Sequence, residues 1–147
     1  KVATGGASRF AAEADGLAAL ARCDALVVPR VVAAGAAGDD DFLAIEWLEL
    51  DGAGDEALLG EAVAALHGTL FPRYGWHCDN FIGGTPQTNG WLDDWPTFFA
   101  DRRLRPQFAL AAQQGIAELA ARAEPLLARL PALLAGTRPA AALQHGD

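Results

Sequence analysis

The chain has 147 residues, of which 52% are hydrophobic and 20% charged, enough to build a domain-sized core. Its net charge of −8 and its pI near 4.7 exclude the clustered Lys and Arg footprint of a nucleic-acid binder, and the densest basic run, Arg102, Arg103 and Arg105, stands beside Asp93, Asp94 and Asp101. There is no apolar run of membrane-spanning length, no signal-peptide pattern and no CxxC spacing between Cys23 and Cys78, so the sequence reads as that of a cytoplasmic protein in a reducing compartment, with no membrane partner.

In chain order, Lys1-Val2 reads as the tail of a strand. Ser8 is placed to cap a helix from Arg9 to Arg22, with Phe10, Ala14, Leu17 and Leu20–Ala21 on one face. Leu26–Val32, β-branched but interrupted by Pro29, reads as a connector into an edge strand. Gly35–Asp41 reads as a turn-rich loop and Phe42–Leu48 as a second strand, the two strands making a hairpin. After a linker at 51–54, Asp55 caps a helix that carries Leu59, Ala62, Val63 and Leu66 at i, i+3, i+4 and i+7 and ends near Gly68. Pro96 suits the first turn of a helix, and Pro106 starts another that Gly115 closes. Ile116–Gly136 is Ala- and Leu-rich and reads as helix broken near Pro125 and Pro131. A short final strand then leads into His145-Gly146-Asp147.

Between the helices lies Gly75–Phe99, which holds Trp76, Trp91 and Trp95 together with Phe81, Phe98 and Phe99. A loop of this length in a compact domain is uncommon and tends to carry function, and its aromatic content argues that it is ordered. Within it, capping of the next helix outweighs catalysis for Asp93-Asp94, core anchoring outweighs a sugar platform for Trp91 and Trp95, and a turn outweighs a ligand site for Asp79-Asn80. His67 and His77 match no zinc spacing and read as structural hydrogen bonders.

The order of elements meets a chemical pattern. A Lys ending a strand, a Glu on the following helix, two further strands, an acidic linker, a helical region and an HGD turn make the layout of a protein-kinase-like fold, in which protein groups mainly position phosphates and neutralise charge. The chain resembles the fructosamine kinase (ketosamine 3-kinase) family. The resemblance runs through Phe10-x-x-Glu13-x-x-x-Leu17, Val28-Pro29, Phe42-Leu43-x-x-Glu46-x-Leu48, Leu59-Gly60 and Leu66-His67. It continues through Gly75, Asp79-Asn80-x-Ile82-Gly83, Gln87-x-Asn89-x-Trp91-x-Asp93-Asp94-Trp95-x-x-Phe98-Phe99, Arg103-Leu104-x-x-Gln107 and His145-Gly146-Asp147.

The resemblance implies an α+β, kinase-like fold: a partial N-lobe over 1–50, with strand remnant, helix, two strands and hinge, then a mostly helical partial C-lobe over 51–147. It implies that Lys1 contacts ATP phosphates, that Glu13 pairs with Lys1, and that the Glu46 carbonyl and Leu48 N–H meet adenine at the hinge with Trp47 between them. Asp147 is implied as the catalytic base, ATP and Mg²⁺ as cofactors, and a small-molecule or protein-bound ketosamine as substrate. Phosphorylation of its 3-hydroxyl destabilises the adduct and frees the amine, which is protein deglycation. The sequence holds no phosphate loop before Lys1 and no metal-binding Asn or Asp after Asp147, so both ends read as cut and this piece alone is expected to show no turnover. Two other classes stay open: an aminoglycoside- or choline-type phosphotransferase sharing the HGD, and a non-catalytic kinase-like interaction module.

Overall fold

In the computed structural model, which describes residues 1–50, 52 and 54–145, three strands form an antiparallel sheet in the order β1 (Val2–Thr4), β3 (Asp40–Ile45), β2 (Val31–Ala37). The register pairs Val2 with Phe42 and Ala37 with Asp40, which leaves only Gly38 and Asp39 as the turn. The stretch from Gly35 to Asp41, expected as loop, is therefore mostly strand, because Ala34, Gly35 and Ala36 are small enough to stay in register opposite Leu43, Phe42 and Asp41. β3 stops at Ile45 rather than Leu48.

Helix α1 (Ala7–Ala21) follows β1 and buries Phe10 and Ala19, and in the same unit Leu43 of β3 is fully buried. Ser8 does not cap it: Gly6 is the N-cap, and the carboxylate of Asp41 accepts from the Ala7 N–H at 3.0 Å while Asp40 accepts from the Thr4 hydroxyl at 2.6 Å. A carboxylate at the positive end of a helix is favourable, and here it comes from a strand 34 residues away. No local signal could announce it.

Helix α2 (Glu56–His67) has the predicted start, with the Asp55 side chain accepting from Ala57 N–H at 2.9 Å. Its predicted stripe is only half used: Leu66 is buried, whereas Leu59 is exposed. Strand β4 (Leu70–Phe71) follows. The chain divides into two compact units, Lys1–Leu70 with the residues from Ala142 onward, and Phe71–Ala141.

The second unit begins with the aromatic stretch, and it is ordered by backbone pairing. β5 (Asn80–Ile82) and β6 (Thr85–Gln87) form a small hairpin where irregular loop was expected, and Tyr74 and Leu92 exchange both backbone hydrogen bonds at 2.9 Å. Phe71, Trp76 and Trp91 pack as one ring cluster, and Tyr74, Trp95, Phe98 and Phe99 as another. Asp94 caps α3 (Trp95–Phe98), accepting from the Thr97 hydroxyl and N–H. These bonds, the side-chain one foremost, hold its carboxyl below the ordinary value of 3.8, so the cap persists above that value and is lost only as pH falls through the depressed one. Asp93 is not a cap and instead pairs with Arg73 at 2.7 Å.

From α3 the helix runs through a π-helical turn, Phe99–Leu104, into α4 (Arg105–Gln113). Pro106 does not start a new helix, as expected from sequence, but it explains the irregularity. It has no N–H to give the Arg102 carbonyl, and the Arg103 guanidinium supplies that bond at 2.9 Å. Gly115 closes α4 with paired bonds from Gly115 N–H to Ala112 and from Ile116 N–H to Ala111.

Helix α5 (Ala117–Leu133) runs unbroken through Pro125 and Pro131, contrary to expectation. Its buried Ala123, Leu127 and Leu130 pack against Phe99, Ala100, Leu104, Phe108 and Leu134, so tertiary burial outweighs the local penalty. The chain closes with β7 (Ala141–Ala142). Among the described residues no helix is long and apolar enough to cross a membrane.

Candidate functional site

Lys1 is fixed by the sheet before its side chain does anything. Its backbone nitrogen donates to the Leu43 carbonyl at 2.8 Å and its carbonyl accepts from Leu43 N–H at 2.9 Å, which extends the β1–β3 ladder by one residue. Glu13 lies on α1, one turn beyond buried Phe10, and its carboxylate pairs with the Lys1 ammonium. The ion pair joins the sheet to the helix. With the Lys side chain 54% exposed, such a pair contributes about 0–1 kcal/mol to stability.

Past β3, residues 46–50 leave regular structure. Glu46 is still tied to the neighbouring segment, its N–H donating to Arg30 carbonyl at 2.8 Å and its carboxylate accepting from Arg30 N–H at 3.2 Å. Among the described residues the Glu46 carbonyl and the Leu48 N–H have no backbone partner. Trp47 is 82% exposed and its indole N–H donates to Glu49 at 2.9 Å. An open groove of about 470 Å³ touches Lys1, Val2, Asp40 and Phe42 but reaches neither Glu13 nor 46–48, so it adds no wall to this site.

Asp147 lies outside the described residues. The segment leading to it is held by Leu143, whose N–H donates to Thr69 carbonyl at 2.9 Å and which is itself buried, and by His145, whose ring stacks on His67. The hydrogen-bonding role expected for His67 is not what its Nε2 shows, since that atom is buried and has no partner among the described residues.

The second unit gathers the remaining motif residues around Asn89, a polar side chain only 3% exposed. Its amide donates to Cys78 carbonyl at 3.0 Å and to Asn80 Oδ1 at 2.9 Å, its backbone N–H donates to Asp79 at 2.7 Å, and its Oδ1 accepts from Arg103 at 2.9 Å. Gln87 also donates to Asn80, and Arg103 donates to Thr88 carbonyl and lies 4.6 Å over the Phe98 ring. Burial pushes the Arg103 guanidinium below its usual range. The spacing Asp79-Asn80, Gln87, Asn89, Arg103 thus encodes one hydrogen-bonded lock across the hairpin and the π-helical turn. Asn89→Ala would remove at once the side-chain bonds to Arg103, to Asn80 and to the Cys78 carbonyl and is expected to destabilise the protein by about 2–3 kcal/mol in urea unfolding.

The fructosamine kinase family profile matches residues 3–147, nearly the whole chain. The chain belongs to the fructosamine kinase family. It is 38% identical over 145 residues to a Synechocystis protein named "Probable ketoamine kinase", covering 94% of this chain and 47% of that one. It is 31% identical over 147 residues to a chloroplastic protein-ribulosamine 3-kinase of Arabidopsis thaliana, covering 97% and 45%. A solved Haemophilus somnus structure, described as a candidate fructosamine-3-kinase, superposes with a TM-score of 0.79 at 26% identity over 95% of this chain and 48% of its own. The chain therefore spans about half the length of the relatives it matches, and its α+β fold is the kinase-like fold of this family.

Of the residues that fructosamine kinase resemblance singles out, the structure brings Lys1 and Glu13 together and leaves 46–48 outside the ladder. Sequence reasoning missed the contact that His67 makes. Its place in the Leu66-His67 motif was visible, but only the fold sets it against His145.

Proposed function

We propose that the complete protein is an ATP-dependent ketosamine 3-kinase that phosphorylates fructosamine or ribulosamine adducts, free or protein-bound, and so serves deglycation. The observation that carries this reading is the Lys1–Glu13 pair, set between sheet and helix in a member of the fructosamine kinase family. Lys1 steadies the ATP phosphates, Glu13 orients Lys1, and the Glu46 carbonyl and Leu48 N–H receive the adenine edge beside Trp47. Asp147 accepts the proton of the sugar 3-hydroxyl as its oxygen bonds to the γ-phosphorus and the bond to the leaving ADP breaks. Mg²⁺ would accompany the nucleotide and neutralise its charge; no residue of this chain is assigned to hold it. The lobe boundary near residue 50 is part of the same proposal.

A net charge of −8 suits a polycationic aminoglycoside superficially, but net charge reports solubility and steering more than the identity of a site. With ATP and Mg²⁺, the complete protein is expected to release ADP in the presence of ribulosamine or fructosamine adducts of lysine and to ignore kanamycin and choline. Preference for kanamycin or choline in the coupled assay would overturn the reading.

A further inference from the structure

Strand β2 is an edge of the three-stranded sheet, with β3 on one side and no strand among the described residues on the other. Leu43 of β3 gives both its backbone groups to Lys1, so Ala34, which stands opposite Leu43, turns its own N–H and carbonyl away from β3. Antiparallel ladders alternate in this way, and Ala36 points outward like Ala34. Among the described residues neither has a backbone partner on that side.

The edge is also uncharged. Native edges are commonly blunted by Lys, Pro or an inward-pointing charge. Val31–Ala37 holds only Val, Ala and Gly, is exposed from Val32 onward, and has its one irregularity between Val31 and Ala33, near its start. Charge stands only at the two ends. Arg30 precedes the strand and Asp39 lies in the turn that follows it; both are exposed, and among the described residues neither side chain has an ionic partner. Opposite charges at the two ends complement an antiparallel copy of the same strand, because a two-fold axis sets the start of one strand beside the end of the other.

We infer that the complete protein pairs with a second copy of itself along this edge, the two β2 strands running antiparallel about a two-fold axis near Gly35. Ala34 of each copy exchanges backbone hydrogen bonds with Ala36 of the other, which satisfies these outward groups on both, and Arg30 of each copy reaches the Asp39 turn of the other. Because α1 packs on β2 and β3, the contact is made by the strand edge, and its small area makes the dimer weak and concentration-dependent. The inference is independent of the kinase reading.

In sedimentation velocity, the mean mass of the complete protein should rise toward that of a dimer between about 10 and about 100 µM. A wild type that stays monomeric overturns the inference. Arg30→Glu sets Glu against Asp39, and Asp39→Lys sets Lys against Arg30, so each variant alone should weaken dimerisation about tenfold or more. An equimolar mixture of the two should restore it, since both mixed contacts then join opposite charges. Undiminished dimers in either variant, or no recovery in the mixture, sink the proposal; urea midpoints show that the variants are folded. In wild type, deuterium exchange at the Ala34 and Ala36 amides should slow as concentration rises, and this pattern decides should either variant fail to fold. Protection of those amides at every concentration would show that another segment of the protein already covers the edge, and would overturn the self-pairing.

Discussion

Asp147→Asn in the complete protein is expected to lower ketosamine turnover by about a hundredfold or more, the range for removing a positioned proton acceptor. The amide is nearly the size of the carboxylate but cannot take the proton of the 3-hydroxyl as it attacks. In the proposed reading nucleotide binding draws on Lys1 and 46–48, so the Kd for ATP should move little, and the loss should fall on kcat. Steady-state kinetics together with a fluorescent nucleotide titration separate the two quantities. Wild-type turnover in the variant would remove Asp147 from the role of base.

The largest structural effect is expected at Gly75. Its φ of +117° is a conformation that side-chain-bearing residues rarely adopt, and an added Cβ would lie 2.1 Å from the Gly90 carbonyl oxygen and 3.3 Å from the Phe98 ring. The backbone cannot yield cheaply here. Tyr74 and Leu92 exchange two hydrogen bonds on one side of Gly75, and Gly90 N–H donates to Trp76 carbonyl on the other. Gly75→Ala should therefore break the crossing that holds the aromatic stretch and destabilise the protein by about 3–5 kcal/mol, at the severe end for a point substitution. Urea unfolding measures it. A midpoint equal to that of wild type would show that the two strands do not approach so closely in solution.

Where a signal is local and its partner lies within a turn, the sequence announces the structure. Asp55 and Asp94 cap the helices they precede, and Gly115 ends the helix it follows, because each interaction closes within about four residues. Where the partner is distant, local reading misplaces the cause. Ser8 looked like a cap, but Asp41 does that work; Pro125 and Pro131 looked like breaks, but burial of Leu127 and Leu130 carries the helix through them. The β5–β6 hairpin was hidden by Pro86 within a strand and by the polar residues that the Asn89 lock consumes. The candidate site divides in the same way. The order Lys, helix, Glu was visible in the chain, while the His67–His145 stack depends on two segments 78 positions apart and exists only once the fold has formed.

The placement of the indoles gives each unit its own optical signature. Trp76, Trp91 and Trp95 lie in the second unit, where Trp76 and Trp91 stand with ring centroids 6.2 Å apart, close enough for their transitions to couple. Trp47 lies by itself in the first unit, exposed beside the proposed adenine site. Near-ultraviolet circular dichroism therefore follows loosening of the second unit, whereas acrylamide-quenchable, red-edge emission belongs to Trp47. One unmodified protein sample can report on the two units separately, without any attached dye.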